Sequence, residues 1–190
     1  KLRVGDPLDK SIDIGAIVSP VQLKTIEELV KQGLEEGGAM WQPSWACPAD
    51  GYFHPPTLFT DVSPSSTIAQ VEIFGPVLCV VRAESQEHAM QLINNHEYGN
   101  GTCIFTRDGE AARYFSDNIQ VGMVGINVPL PVPVATHSFG GWKRSLFGDL
   151  FAYGPDSIRF YTRRKTITQR WPSGGVREKA QFSFPSTNQE

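Results

Sequence analysis

The residues best suited to chemistry lie in two short stretches. The first is Glu72-Ile-Phe-Gly-Pro-Val77, which leads into the continuous apolar run Pro76-Val-Leu-Cys-Val-Val-Arg82. Gly75 permits a close backbone approach, and Pro76 fixes the direction in which a strand begins. A carboxylate held at the mouth of a sheet accepts hydrogen bonds from ribose hydroxyls, as acids do in dinucleotide sites. The other reading of Glu72 is a solvated acid before a turn. The second stretch runs from Asn127 to Trp142, a proline-rich loop that ends in Phe139-Gly-Gly-Trp-Lys143. It follows an apolar segment, the place where α/β folds carry substrate loops. Phe139 beside two glycines can wall a pocket, or it can simply pin a surface loop together with Trp142. His137 is the one histidine in that loop; its alternative is a hydrogen-bonded structural role.

Other candidates are weaker. A nucleophilic cysteine needs a base, a cation or a helix N-terminus to favour the thiolate. Cys79 and Cys103 fall inside apolar runs and read as inert core thiols, and Cys47 sits in a Trp- and Pro-rich loop with no histidine in an interpretable relation to it. No residue is therefore assigned as catalytic. No His or Cys spacing suits a metal. Arg159 to Arg170 alternates basic with aromatic and β-branched residues, which fits a charged, edge-protected strand better than a nucleic-acid patch. Such a strand could complete a neighbouring subunit's sheet.

Composition sets the frame for these residues. The 190 residues are 40% hydrophobic and 19% charged with a net charge of −3, so nothing steers the chain toward nucleic acid. No apolar run reaches the roughly 20 residues of a membrane helix. Three cysteines cannot all pair within the chain, and Lys1–Pro7 holds no apolar signal core, so a reducing cytoplasm is the expected compartment.

The elements that must position these residues follow from local signals. Ser19-Pro20 starts a helix, Leu23, Ile26, Leu29, Val30 and Leu34 recur along it, and Gly37-Gly38 ends it. Pro56–Val62 reads as a short strand, and Ser63–Gln70 as one or two helical turns. Ser85 caps a helix through Asn95, and Asp108 caps another from Gly109 to about Asn118. Around them, Pro76–Arg82, Gly101–Thr106 and Val121–Val128 read as buried strands. Strand, helix, strand, helix, strand predicts crossover units, and so an α/β fold with an open, mostly parallel twisted sheet. A site is then expected beyond the carboxyl ends of the strands. Ser157–Trp171 reads as a last extended segment, and 172–190 as a polar tail.

Glu72-Ile-Phe-Gly-Pro-Val, Asn127 with Phe139-Gly-Gly-Trp-Lys, and Phe160-Tyr-Thr-Arg-Arg-Lys-Thr-Ile-Thr168 occur in an order and spacing that resemble the aldehyde dehydrogenase superfamily. Gly125-Ile-Asn-Val-Pro-Leu-Pro-Val-Pro133, Ser138–Asp149 and Arg163–Pro172 are similar to its methylmalonate-semialdehyde dehydrogenases. The resemblance implies that Glu72 binds the nicotinamide ribose of NAD, that Phe74 packs near the nicotinamide, and that Phe139 lines the substrate funnel. It implies the C-terminal part of a catalytic domain over 1–156, an oligomerisation strand over 157–171, and a homodimer or homotetramer. It places the nucleophilic Cys, the general base and the Rossmann-like half N-terminal to Lys1, so that these residues alone are expected to be inactive. The implied reaction of the whole enzyme is NAD-dependent, CoA-acylating oxidation of a small aldehyde, methylmalonate or malonate semialdehyde, to propionyl-CoA or acetyl-CoA. A hydrolytic aldehyde dehydrogenase of other substrate range, or a non-catalytic binding or assembly module with the same fold, fits the same residues.

Overall fold

In the computed structural model the described residues are 2–169 and Trp171. Helix α1 spans Pro20–Glu35, and Ser19 caps it by accepting a hydrogen bond from the Gln22 backbone N–H at 3.2 Å. Pro20 occupies the first turn, where a missing N–H costs nothing. Strand β1 (Ala39–Trp41) pairs antiparallel with β2 (Thr57–Thr60), which pairs parallel with β3 (Val77–Cys79). The short α2 (Thr67–Gln70) makes the crossover between β2 and β3. Ile26, Val30, Phe59, Val62, Ile68 and Ile73 form the core between α1, α2 and this sheet. Ile26 and Phe59 are completely buried, and each such side chain contributes about 1.5–3 kcal/mol of hydrophobic stabilisation. Gly33 lets α1 approach, because a Cβ there would lie 2.7 Å from the Ile68 Cδ1.

A second layer follows. Helix α3 spans Gln86–Asn95 with Ser85 as its cap, and β4 is Tyr98–Gly99. Strand β5 (Gly101–Ile104), helix α4 (Gly109–Asn118) and strand β6 (Met123–Ile126) make a parallel crossover unit, with Gly101 opposite Met123 and Ile104 opposite Ile126. Asp108 caps α4 through the backbone N–H groups of Glu110 and Ala111. Met90, Phe115, Ile119 and Val121 form its core. Strand β7 (Trp142–Lys143) pairs antiparallel with β4.

The class is α/β, and the pair across α4 is parallel as expected; the other parallel pair forms across α2, where none was expected, and not across α3. The three apolar runs do not lie side by side, however. β3 pairs with β2, β5 pairs with β6, and no ladder joins β3 to β5 among the described residues. Nor are these runs buried on both faces as expected: Leu78 in β3 is 64% exposed and β5 and β6 are mostly half-buried, so an apolar run fixes neither its cover nor its neighbouring strand.

The expected strand at 157–171 is corrected at its start. Asp156–Tyr161 form a helix, α5, with Pro155 ahead of it and Asp156 in its first turn, both favourable at a helix N-terminus. Residues 162–169 carry no ladder. Aromatic and β-branched residues favour strands only where a partner edge is available. The tail expected at 172–190 lies outside the described residues. Among those described, no helix is long and apolar enough to cross a membrane.

Candidate functional site

Glu72 follows α2 directly. Val71 is extended and ends that helix through its N–H on the Thr67 carbonyl. Glu72 is exposed and lines a cleft of about 480 Å³ together with Gln70, His96, Tyr98, Asn100 and Ser145. A second cavity of about 510 Å³ shares Gln70, His96, Tyr98 and Asn100, and continues along Val81, Leu92, Ile93 and Val121. Glu72 thus stands at the polar end of a mainly apolar trough between the two layers. None of the ion pairs among the described residues involves its carboxylate.

The neighbours supply donors. His96 Nδ1 accepts from the Tyr98 N–H at 3.2 Å, which leaves the ring proton on Nε2. Ser145 Oγ accepts from the Gly99 N–H at 3.1 Å and keeps its own proton to give. Gln70 Nε2 donates to the Pro64 carbonyl at 2.6 Å, leaving its amide oxygen as an acceptor. An acidic acceptor facing hydroxyl and imidazole donors suits a ligand rich in hydroxyls. Glu72 lies on the segment that enters β3, whereas the sheet rule looks to segments that leave a strand's carboxyl end; the adjoining cavity reaches that end at Val81 and Ala83.

Phe74 has φ +52° and is 73% exposed. Its turn is anchored from α1: Gln22 Nε2 donates to the carbonyls of Ile73 at 2.9 Å and Phe74 at 3.3 Å. Gly75 lies on Ile26, where a Cβ would sit 2.5 Å from Cδ1. Downstream, the Thr57 N–H donates to the Pro76 carbonyl at 2.9 Å.

Phe139 is half-buried and stacks on Tyr153, with ring centroids 4.9 Å apart and 7° between planes. Gly140 passes under Phe151, and the Asp156 N–H donates to Ser138 Oγ at 3.1 Å. His137 is exposed, its N–H bonded to the Val134 carbonyl at 3.0 Å. Neither residue lines the cleft that Glu72 lines. The structure therefore brings Glu72 and Phe74 together in one turn and Phe139 and His137 together in another, and links the two indirectly through β7. Strand β7 follows Phe139 by three residues and pairs with β4, whose Tyr98 lines the Glu72 cleft.

The aldehyde dehydrogenase family profile matches residues 1–167. The chain belongs to the aldehyde dehydrogenase family. It is 58% identical to the malonate-semialdehyde dehydrogenase of Pseudomonas aeruginosa over 191 residues, covering 97% of this chain and 38% of that protein. Its fold is similar to the methylmalonate-semialdehyde dehydrogenase of Oceanimonas doudoroffii, with a TM-score of 0.84 and 58% identity over 93% of this chain and 37% of the other. It is also similar to a Mycobacterium tuberculosis aldehyde dehydrogenase complexed with NAD+, with a TM-score of 0.76 and 33% identity over 86% of this chain and 34% of the other. The chain thus spans a little over a third of the length of these relatives.

Several residues of this aldehyde dehydrogenase chain stand out only in three dimensions. Lys143 has φ +54°, and its Nζ donates to the carbonyls of Ile93, Asn94 and His96 at 3.3, 2.9 and 3.0 Å. It caps the C-terminus of α3, where a cation is favoured, and fixes β7 against β4. Arg144 pairs with Glu97 and lies 5.4 Å over the Tyr98 ring. Gln22, His96, Ser145 and Tyr153 had no local signal; each acts on a residue distant in sequence. The thiols of Cys47 and Cys79 are pushed up by burial, the opposite of what a nucleophile needs.

Proposed function

We propose that this chain supplies the cofactor-facing and substrate-facing rim of an NAD-dependent aldehyde dehydrogenase that oxidises malonate or methylmalonate semialdehyde with CoA as acyl acceptor. The observation that carries the reading is Glu72: a carboxylate outside every described ion pair, on the wall of a hydroxyl-lined cleft, directly ahead of the anchored Phe74 turn. The donor set fits a nicotinamide ribose, whose vicinal hydroxyls each give one proton and accept another. When bound, NAD accepts the hydride from the aldehyde carbon. Glu72 accepts from the ribose hydroxyls and sets the sugar's position. Ser145 and the His96 Nε2–H are within the same cleft to donate to its oxygens. Phe74, held outward at 73% exposure, offers an aromatic face to the flat ring system. Phe139 and Tyr153 form a second aromatic surface, which we assign to the aldehyde side together with His137. No nucleophile is assigned among these 190 residues.

Residues 1–156 are read as part of the catalytic domain. The segment 157–171 is read as the assembly element of a homodimer or homotetramer. Ile158, Tyr161, Ile167 and Trp171 are each more than 65% exposed in the single chain, which supports a covering partner. The semialdehyde and CoA assignments rest on similarity to the Pseudomonas and Oceanimonas proteins, and the cytoplasmic assignment on three free cysteines.

Glu72→Gln in the complete enzyme tests the site. A neutral amide is a poorer ribose acceptor than a carboxylate, so NADH formation in a single turnover is expected to slow about tenfold, or NAD binding to weaken by a similar factor. Unchanged single-turnover kinetics and NAD affinity would remove Glu72 from the site.

A further inference from the structure

We infer that Gln22 is a positioning residue for Phe74, holding the cofactor-facing turn in its working shape; this rests on the cofactor reading of that turn given above. A bulky aromatic residue at φ +52° is a backbone outlier, and such conformations persist only where the surroundings enforce them. Phe74 does not enforce its own, because the residue is 73% exposed. The enforcing group comes from 52 residues away. The Gln22 primary amide donates to the carbonyls on both sides of the Ile73–Phe74 junction, at 2.9 and 3.3 Å. Gln22 is itself launched from a rigid point, since its backbone N–H is tied to the Ser19 cap.

Ile26, one turn along the same face of α1, receives Gly75, and Ile73 is buried in the core on the other side. The turn is thus seated between two residues of α1 spaced i, i+4. Ile26 fixes where the backbone lies. Gln22 fixes how its carbonyls point, and so the direction in which Phe74 projects. An apolar side chain of the same length could fill the space, but it would leave the part-buried Ile73 carbonyl without this donor and the exposed Phe74 carbonyl to water, free of the clamp.

The experiment is a double-mutant cycle in the complete enzyme: Gln22→Met, Phe74→Gly and both together, read by NAD KM, single-turnover NADH formation and Tm. Glycine adopts φ +52° without strain, so a turn with Gly at 74 needs no clamp. Gln22→Met alone is expected to weaken NAD use or slow hydride transfer about tenfold. In the Phe74→Gly background it is expected to add no more than about twofold, a non-additivity that marks one shared function. Gln22→Glu gives an independent check, because its ionised carboxylate cannot donate. It is expected to be impaired at neutral pH and partly restored at acidic pH, where the protonated carboxyl regains one donor. Impaired Phe74→Gly with wild-type Gln22→Met kinetics would overturn the clamp alone, as would full additivity or a Gln22→Met effect confined to Tm. Wild-type NAD kinetics in Phe74→Gly would overturn the cofactor reading of the turn and the clamp with it.

Discussion

Phe74 and Asn127 share a left-handed backbone, with φ of +52° and +57°, and each lies in one of the two stretches singled out in the sequence. They are held by opposite means. Asn127 supplies its own support: Oδ1 accepts from the Thr106 N–H at 2.9 Å, and Nδ2 donates to the Thr106 carbonyl at 2.9 Å. This reciprocal pair ties the ends of β5 and β6 together, and asparagine tolerates the conformation well. Phe74 can do neither, so α1 must hold it. The loop after Asn127 is left largely to itself, with Val128, Leu130, Val132 and Val134 exposed between prolines. The turn we assign to the cofactor is gripped by the core, whereas the loop we assign to the substrate side is gripped where it starts and again around Ser138–Gly140, where Phe139 meets Tyr153.

The largest expected effect breaks the grip on Phe74. Gly75→Ala would drive a methyl into the completely buried Ile26, which cannot yield without disturbing its neighbours. A loss of about 2–3 kcal/mol is expected, read as a lower urea midpoint. Near-neutral behaviour would show that the turn is not seated on α1.

Asn127 offers the contrasting test. Asn127→Ala removes both bonds to Thr106 and leaves a Cβ in the left-handed region, so about 1–2 kcal/mol is expected. Asn127→Gly loses the bonds but accepts the backbone, so about half of that is expected. Equal losses in the two variants would mean that the hydrogen bonds alone hold the loop.

The smallest effect lies at the far end of the gripped side, where Thr57 joins β2 to Pro76. Thr57 Oγ1 donates to the Pro55 carbonyl and accepts from Gln42 Nε2, so buried His54 reaches it as an Nε2–H donor at 3.2 Å. Burial holds His54 below its ordinary pKa of 6.5. The unfolded chain then takes up a proton near that value while the folded one resists it. Stability is therefore expected to be fully present above pH 6.5 and to fall as pH drops below it. Urea midpoints measured at successive pH values should show this decline, and His54→Gln should flatten it. An unaltered slope in the variant would assign the decline to other groups.

What could be foreseen from sequence follows the same division. The starts of α1, α3 and α4 were legible because Ser19, Ser85 and Asp108 cap their own helices within three residues. Glu72 and Phe139 were legible as chemistry because acid, aromatic and glycine sit within one short motif. The Gln22 clamp and the Phe139–Tyr153 stack were not, because nothing at either partner announces the other. The pairing of β3 with β2, and not with β5, was hidden for the same reason. At α5, a proline and an acid at the helix start outweighed the strand preference of Phe160, Tyr161 and Thr162, which pair with no sheet edge among the described residues.

The central claim is that the Glu72 carboxylate meets a coenzyme sugar. A crystal structure of the complete enzyme with NAD tests it most directly. It should show a Glu72 carboxylate oxygen about 2.5–3.0 Å from a nicotinamide ribose hydroxyl, with the Phe74 ring against the cofactor. A ribose bound elsewhere, with Glu72 turned to solvent, would contradict it.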